Sequence, residues 1–267
     1  MELNYGKKVI QGVEVKPVNC KSALSSSLLE ADYSLNPYIG CLHGCIYCYG
    51  PCVIKEERKW GQFLDVKINL PKILSKEAKN IEKNIIRLGS VTDPYQMAEE
   101  EYRVTRRCLK QLSKHDCRVL IQTKSDLVKR DIDLLKDMKS DIGITITSLD
   151  EDFRKKFEPG APSISDRLSA IKELKKEGIK VWVFIGPLLP YLNDEKEELI
   201  RLKDTLTSLG VDEIYLDKLN MRERIWEKIK PLLEEDILNK YENIYFGDEG
   251  YFRKNREIYD EIGKRIF

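Results

Sequence analysis

Ile85-Ile86-Arg87-Leu88-Gly89-Ser90-Val91 opens the part of the chain that decides its fold. This strand-like run is followed by a helical segment at 99–114, by the strand Arg118-Val119-Leu120-Ile121-Gln122-Thr123, and by a helix at 131–138. The alternation then continues with a β-branched strand at 141–147 and a helix at 165–177 that Gly178 stops. An apolar run at 180–189 suits a strand buried on both faces. A helix at 194–209, stopped by Gly210, a strand at 212–216 and a helix at 222–238 complete the series. Repeated strand–helix units of this length predict a parallel sheet with right-handed crossovers. Working back, residues 33–39 supply a first strand and bring the count to six units, short of a closed eight-fold barrel. The expected fold class is α/β, a partial and open TIM-type (βα)6 barrel with a parallel sheet. A doubly wound sheet is the alternative.

Outward from this core, 9–15 reads as a short strand, the Ser-rich 20–29 as a loop with a turn of helix, 66–70 as an extended piece and 71–80 as a helix. The tail carries Tyr245, Phe246, Tyr251, Phe252, Tyr259 and Phe267, and is expected to close the open side with a final strand and helix, or else to form a surface helix. The division expected is an N-terminal extension at 1–35, a core at 36–220 and a C-terminal helix and closing segment at 221–267.

Just past the first strand lies Asn36-Pro37-Tyr38-Ile39-Gly40-Cys41-Leu42-His43-Gly44-Cys45-Ile46-Tyr47-Cys48-Tyr49-Gly50. Cys41, Cys45 and Cys48 are spaced C-x3-C-x2-C, and thiolates this close suit a thiophilic metal centre. A cubane of four irons needs four ligands, so three Cys leave one iron open to an exogenous ligand. The competing reading is a structural zinc site completed by His43 or Cys52, although such sites usually come as two separated ligand pairs. The pattern resembles the signature of the radical S-adenosylmethionine (radical SAM) superfamily. That resemblance implies a [4Fe–4S] cluster on the three Cys, S-adenosylmethionine on the fourth iron, and Tyr47 beside the adenine.

The chain has 267 residues, 42% of them hydrophobic, with 46 Lys and Arg against 45 Asp and Glu. That is enough apolar content for a core. A net charge of +1 gives no support to nucleic-acid binding, while leaving room for a local basic patch. Neither a signal peptide nor a membrane span is read, and seven Cys without a secretion signal argue for reduced thiols in the cytoplasm. Only two His, His43 and His115, are present, and neither phosphate-loop motif occurs.

Polar residues follow the expected strands, where a barrel places its site. Ser90, Thr92 and Asp93 follow the second strand, Lys124 the third, and Thr145 lies in the fourth. Asp93 could accept from the ammonium of a bound amino-acid moiety, and Lys124 and Thr145 could hold its carboxylate. Equally, Thr92-Asp93-Pro94 could simply turn the chain into a helix. The ordered motifs N-P-Y-x-G-C-x-x-G-C-x-Y-C-Y, T-D-P-Y-Q, T-K-S-D-L-V-x-R-D, F-E-P-G-A-P-S and G-P-L-L-P are similar to the spore-photoproduct-lyase-like subgroup of that superfamily. The likeness implies carboxylate-holding roles for Lys124 and Thr145, a place on the methionyl side for Ser90, Thr92 and Asp93, and a bracing role for Arg167, whose alternative is a surface ion pair.

The resemblance implies a lyase or other radical transformation. It further implies reductive cleavage of S-adenosylmethionine, with an electron donor of ferredoxin or flavodoxin type, and abstraction of a hydrogen atom from a substrate. True spore photoproduct lyases carry a hydrogen-donating Cys where this chain has Ser90-Val91, which counts against DNA repair; Cys52 is the nearest spare thiol and the candidate catalytic one. The basic run Arg103, Arg106, Arg107, Lys110 and Lys114, after Glu99, Glu100 and Glu101, reads as a solvated helix face in preference to a phosphate-contacting one.

Overall fold

The computed structural model describes residues 6–27, 30–247 and 250–266. The start of the N-terminal extension, the Leu28–Leu29 end of the Ser-rich segment, and Phe267 lie outside the described residues. In chain order the strands are β1 (Lys8–Ile10), β2 (Val13–Val18), β3 (Leu24–Ser26), β4 (Tyr33–Leu35), β5 (Tyr38–Ile39), β6 (Leu64–Lys67), β7 (Ile85–Leu88), β8 (Arg118–Thr123), β9 (Lys139–Thr145), β10 (Lys180–Leu188), β11 (Glu213–Lys218) and β12 (Lys264–Arg265).

Eight of them form the main sheet in the order β12-β11-β10-β9-β8-β7-β4-β3. From β4 to β12 every pairing is parallel, and only β3 runs antiparallel, against β4. The six expected parallel strands are therefore present, β12 is added from the tail, and the edges β3 and β12 do not meet. This is an open, partial TIM-type barrel. The helix-facing row along the strands, with Ile86, Leu88, Val119, Ile121, Ile142, Ile144, Val181 and Val183, is fully buried. Removing such rows from water supplies the main drive for folding. A second small sheet, ordered β1-β2-β6-β5, holds the start of the Cys loop, because β5 runs straight into Gly40 and Cys41.

Gly178 and Gly210 follow helices Ile164–Lys176 and Lys196–Ser208 in the left-handed conformation, with φ of +72° and +74°, which suits Gly at a helix stop. Elsewhere the helices differ from expectation. The expected 99–114 helix is two, Ala98–Tyr102 and Val104–Leu112, broken at Arg103 with φ +48°. The cause is Glu99, read from sequence as a solvated helix-start acid and found fully buried. Its carboxylate accepts from Thr105 N (2.9 Å), Arg106 N (3.1 Å), Arg130 Nη2 (2.7 Å) and the Tyr38 hydroxyl, so it caps the second helix from inside. Arg106 is likewise not a free surface cation, since it pairs with Asp131 and Asp133. The expected 131–138 helix is a 3₁₀ segment, Asp126–Asp131, running into one turn, Ile132–Leu135. The expected 222–238 helix is cut into Glu223–Ile229, a 3₁₀ turn at Lys230–Leu232 containing Pro231, and Glu235–Phe246. In the Ser-rich segment the described part forms β3 instead of a helical turn.

The tail adds helices Gly250–Lys254 and Arg256–Ile262 and ends in β12 against β11. Its aromatic residues are not a bare surface helix, because Tyr259 is buried in the main core. Tyr241, Ile225 and Ile229 form a second apolar cluster with Cys45, Tyr47, Phe153 and Phe157. The C-terminal segment thus packs against the back of the Cys loop.

Candidate active site

The Cys loop crosses the C-terminal ends of β7, β8 and β9. One cleft there is lined by Cys41, Cys45 and Cys48 together with Ser90, Thr92, Asp93, Lys124 and Thr145. Eight of the eleven residues singled out from sequence therefore meet in one place. Tyr47 and Arg167 lie behind the cleft wall. Cys52 sits half-buried on the short helix Gly50–Val53 and does not line the cleft.

Backbone geometry makes room around the sulfurs. Gly50 N donates to Cys48 Sγ at 3.4 Å, and a Cβ on Gly50 would come within 2.9 Å of Val91 O and 3.3 Å of that sulfur. On the other side of the loop, Gly160 N donates to His43 O at 3.0 Å, and a Cβ on Gly160 would meet Leu42 O at 2.1 Å. The Glu158-Pro159-Gly160 turn can press this close only because Gly stands there.

Burial raises all three thiols: Cys41 well above its ordinary value, Cys45 up to about 12, and Cys48 upward as well. Metal binding must therefore displace their protons. Among the described residues no three His, Cys, Asp or Glu side chains converge as they would around a single metal ion. The three sulfurs line one cavity, and a donor set of three soft thiols fits an iron–sulfur cluster with one iron free.

The strand-end residues divide by what they touch. Thr92 Oγ1 donates to Gly40 O at 2.5 Å, and Gln96, fully buried, accepts from Leu42 N at 2.8 Å while donating to Thr92 Oγ1 at 3.0 Å. This pair pins the Cys loop to the end of β7. Asp93 Oδ1 accepts from Thr123 Oγ1 (2.7 Å) and Tyr95 N (2.8 Å), and Oδ2 from Lys124 N (2.8 Å), with His43 Nδ1 at 3.4 Å. Its carboxylate thus already ties β7 to β8, and His43, whose pKa burial lowers, lines the cleft beside it. Ser90 Oγ accepts from Asn36 Nδ2 at 3.0 Å, and its carbonyl from the Tyr49 hydroxyl at 2.5 Å. Thr145 Oγ1 accepts from Gln122 Nε2 at 3.3 Å.

Behind the cleft is a buried charge network that sequence reading largely missed. Glu158 is 1% exposed, and its Oε2 lies 2.5 Å from Arg167 Nη2, itself in a side chain 1% exposed. Arg167 also donates to Thr145 O (3.1 Å) and Pro162 O (3.0 Å), so the surface ion pair considered as its alternative role does not apply. Thr147 Oγ1 donates to Glu158 Oε1 at 2.6 Å, the Tyr47 hydroxyl donates to the same oxygen, and Lys124 Nζ stands 3.9 Å away. Burial alone would push the Glu158 carboxyl up, but Arg167, then Lys124, Thr147 and Tyr47, together hold it near 2. Burial pulls the Lys124 ammonium down, and Glu158 and Cys45 more than reverse this. Glu158 was visible in sequence only as part of the F-E-P-G-A-P-S motif; its place beneath Tyr47 depends on residues more than a hundred positions apart.

The family model described as "Radical SAM superfamily" matches residues 35–202. The chain belongs to the radical SAM superfamily. An uncharacterized protein of Methanocaldococcus jannaschii is 35% identical, with 95% of each chain covered. The spore photoproduct lyase of Clostridium acetobutylicum is 23% identical over 87% of this chain and 69% of that one. A solved structure of spore photoproduct lyase complexed with dinucleoside spore photoproduct superposes with a TM-score of 0.67 at 18% identity, covering 87% of this chain and 80% of that one. The radical SAM enzyme described here therefore shares the spore photoproduct lyase fold, and its open sheet is the partial barrel expected from sequence. Among the described residues no helix is long and apolar enough to cross a membrane.

Proposed function

We propose that Cys41, Cys45 and Cys48 hold a [4Fe–4S] cluster whose fourth iron takes S-adenosylmethionine, and that the protein works in the cytoplasm on a substrate placed beside this cleft. The observation that carries the reading is that the three thiols and the strand-end residues Ser90, Thr92, Asp93, Lys124 and Thr145 line one cavity. When bound, the group would supply one-electron chemistry, the reductive cleavage of S-adenosylmethionine and hydrogen-atom abstraction from the substrate, with a ferredoxin- or flavodoxin-type protein as electron donor.

The chain's own part is to position and to exclude water. Thr92 and Gln96 hold the Cys loop, Glu158 and Arg167 fix the wall behind it, and Lys124 and Thr145 face the cleft as candidate partners of the cofactor's carboxylate. Asp93 serves chiefly to orient Lys124 through its backbone N–H. Cys52, the nearest spare thiol in sequence, lies off the cleft, and a redox or hydrogen-donating role would require it to move.

The test is anaerobic reconstitution with iron and sulfide. About four irons per chain are expected, and dithionite should then cleave S-adenosylmethionine to 5′-deoxyadenosine; Cys45→Ala should lose both. Full iron loading without cleavage, or one zinc per chain in place of iron, would sink the proposal. The second reading is action on DNA, favoured by the likeness to spore photoproduct lyases. Ser90-Val91 in place of a thiol and the near-neutral charge weigh against it. Salt-dependent binding of duplex DNA would restore it.

A further inference from the structure

The concave face of the open sheet carries a second cavity next to the cofactor cleft, and Gln122 lines both. Its wall combines the aromatic rings of Trp182, Phe184 and Tyr215 with charged side chains of both signs. Trp182 lies beside Gly143, where a Cβ would strike the indole at 2.2 Å, and meets Tyr215 edge-on with ring centroids 5.6 Å apart. Phe184 lies across Gly186 in the same way, so two glycines give up their side-chain space to these rings.

The cations in this cavity are not equivalent. Arg118 pairs with Asp141, and Lys180 with Glu213 at 3.6 Å. Arg87, nearest the cofactor cleft, forms no ion pair with a carboxylate among the described residues. Its Nη2 donates to Gln122 Oε1 at 2.6 Å, and its buried Nε has no hydrogen-bond partner. Glu30, the acid that influences it, lines the cavity without reaching it. A half-buried guanidinium held by one neutral amide is costly unless something anionic completes it. Nε is closed off from the cavity, so an oxyanion would meet the guanidinium end-on, at Nη1 and the Nη2 hydrogen that Gln122 does not take.

We propose that this cavity is the substrate pocket and that Arg87 binds an oxyanion of a small substrate, carboxylate or phosphate, whose planar part rests on Trp182, Phe184 and Tyr215. The inference rests on the radical SAM reading above only for the word substrate; anion binding is testable by itself. With S-adenosylmethionine-loaded, reconstituted protein, anaerobic calorimetry should detect phenyl phosphate or benzoate and not the neutral benzamide. Whichever anion binds more tightly identifies the oxyanion. Arg87→Gln should weaken that binding at least tenfold.

Should that variant fail to fold, the wild type still decides. The bound anion should slow phenylglyoxal modification of Arg87, read by mass spectrometry. Equal binding of benzamide, undiminished binding by folded Arg87→Gln, or an Arg87 that the anion leaves unprotected would each overturn the proposal. Anion binding by a protein that loads iron and cleaves no S-adenosylmethionine would instead leave this inference standing and sink the cofactor reading.

Discussion

Glu158 and Asp194 are both buried carboxylates at the same end of the barrel, and they end at opposite extremes. Asp194, just after β10, accepts from Tyr191 N (2.8 Å), the Tyr251 hydroxyl (3.0 Å) and the Tyr259 hydroxyl (2.9 Å), yet burial outweighs these donors and pushes it up to about 6. Glu158 is buried at least as deeply and rests near 2. The number of hydrogen bonds does not separate them. What separates them is formal charge, since Glu158 faces Arg167 and Lys124, whereas the donors to Asp194 are neutral and the neighbouring Glu195 adds a like charge. In a medium that excludes water, an opposite charge offsets the cost of burying a carboxylate and a hydroxyl does so only in part.

The largest effect should come from breaking the charged side. Arg167→Met keeps much of the volume but leaves Glu158 buried against Lys124 alone. A loss of about 3–5 kcal/mol in denaturant unfolding is expected, as for other buried pairs stripped of one partner. Adding Glu158→Gln to Arg167→Met should recover a substantial part of it, because the uncompensated charge is gone. A double variant no more stable than the single one would show that Arg167 acts through its bonds to Thr145 O and Pro162 O instead.

This pair also marks where sequence reading stops. The strand order followed from local signals: apolar runs of strand length, and Gly178 and Gly210 placed where helices must end. The Cys triplet and the polar residues after each strand were legible for the same reason, since a barrel delivers strand ends to one face. The break at Arg103 was not, because it depends on Glu99 being drawn inside by Tyr38 and Arg130, partners 61 and 31 positions away. Arg167 could be read as an ion-pairing residue but not as a buried one. Nothing in its own helix distinguishes it, and only the approach of the Glu158 turn to the Cys loop buries it. Arg87 was hidden inside a strand pattern, where an intermittent polar residue reads as the solvent face of a sheet that here curves around a pocket.

The two carboxylates should also pull the pH dependence of stability in opposite directions. Glu158 is held below its ordinary value of 4.5, so its contribution is complete above that pH and is lost as pH falls toward 2. Asp194 is held above its ordinary 3.8, so the folded state binds the proton more tightly, and stability falls as pH rises from 3.8 to 6. A shift of about two units corresponds to roughly 3 kcal/mol. Asp194→Asn should flatten the decline between pH 4 and 6 while leaving the acid limb intact. Unfolding midpoints measured at half-unit steps of pH would show it, and an unchanged slope in that window would mean that Asp194 is ionised in the folded protein throughout.

The smallest change sharpens the same contrast. Tyr251→Phe removes one hydroxyl from Asp194 and leaves Tyr259 and the Tyr191 N–H in place. One neutral hydrogen bond is worth about 1 kcal/mol, so the variant should be only slightly less stable at neutral pH. Because the lost donor favoured the ionised form, the carboxyl should move further up, and the pH at which stability stops declining should rise with it. If that pH stays fixed, or moves down, then water replaces the hydroxyl and the Asp194 pocket is wetter than Glu158's. The difference between the two acids would then owe more to solvent access than to the absence of a cation.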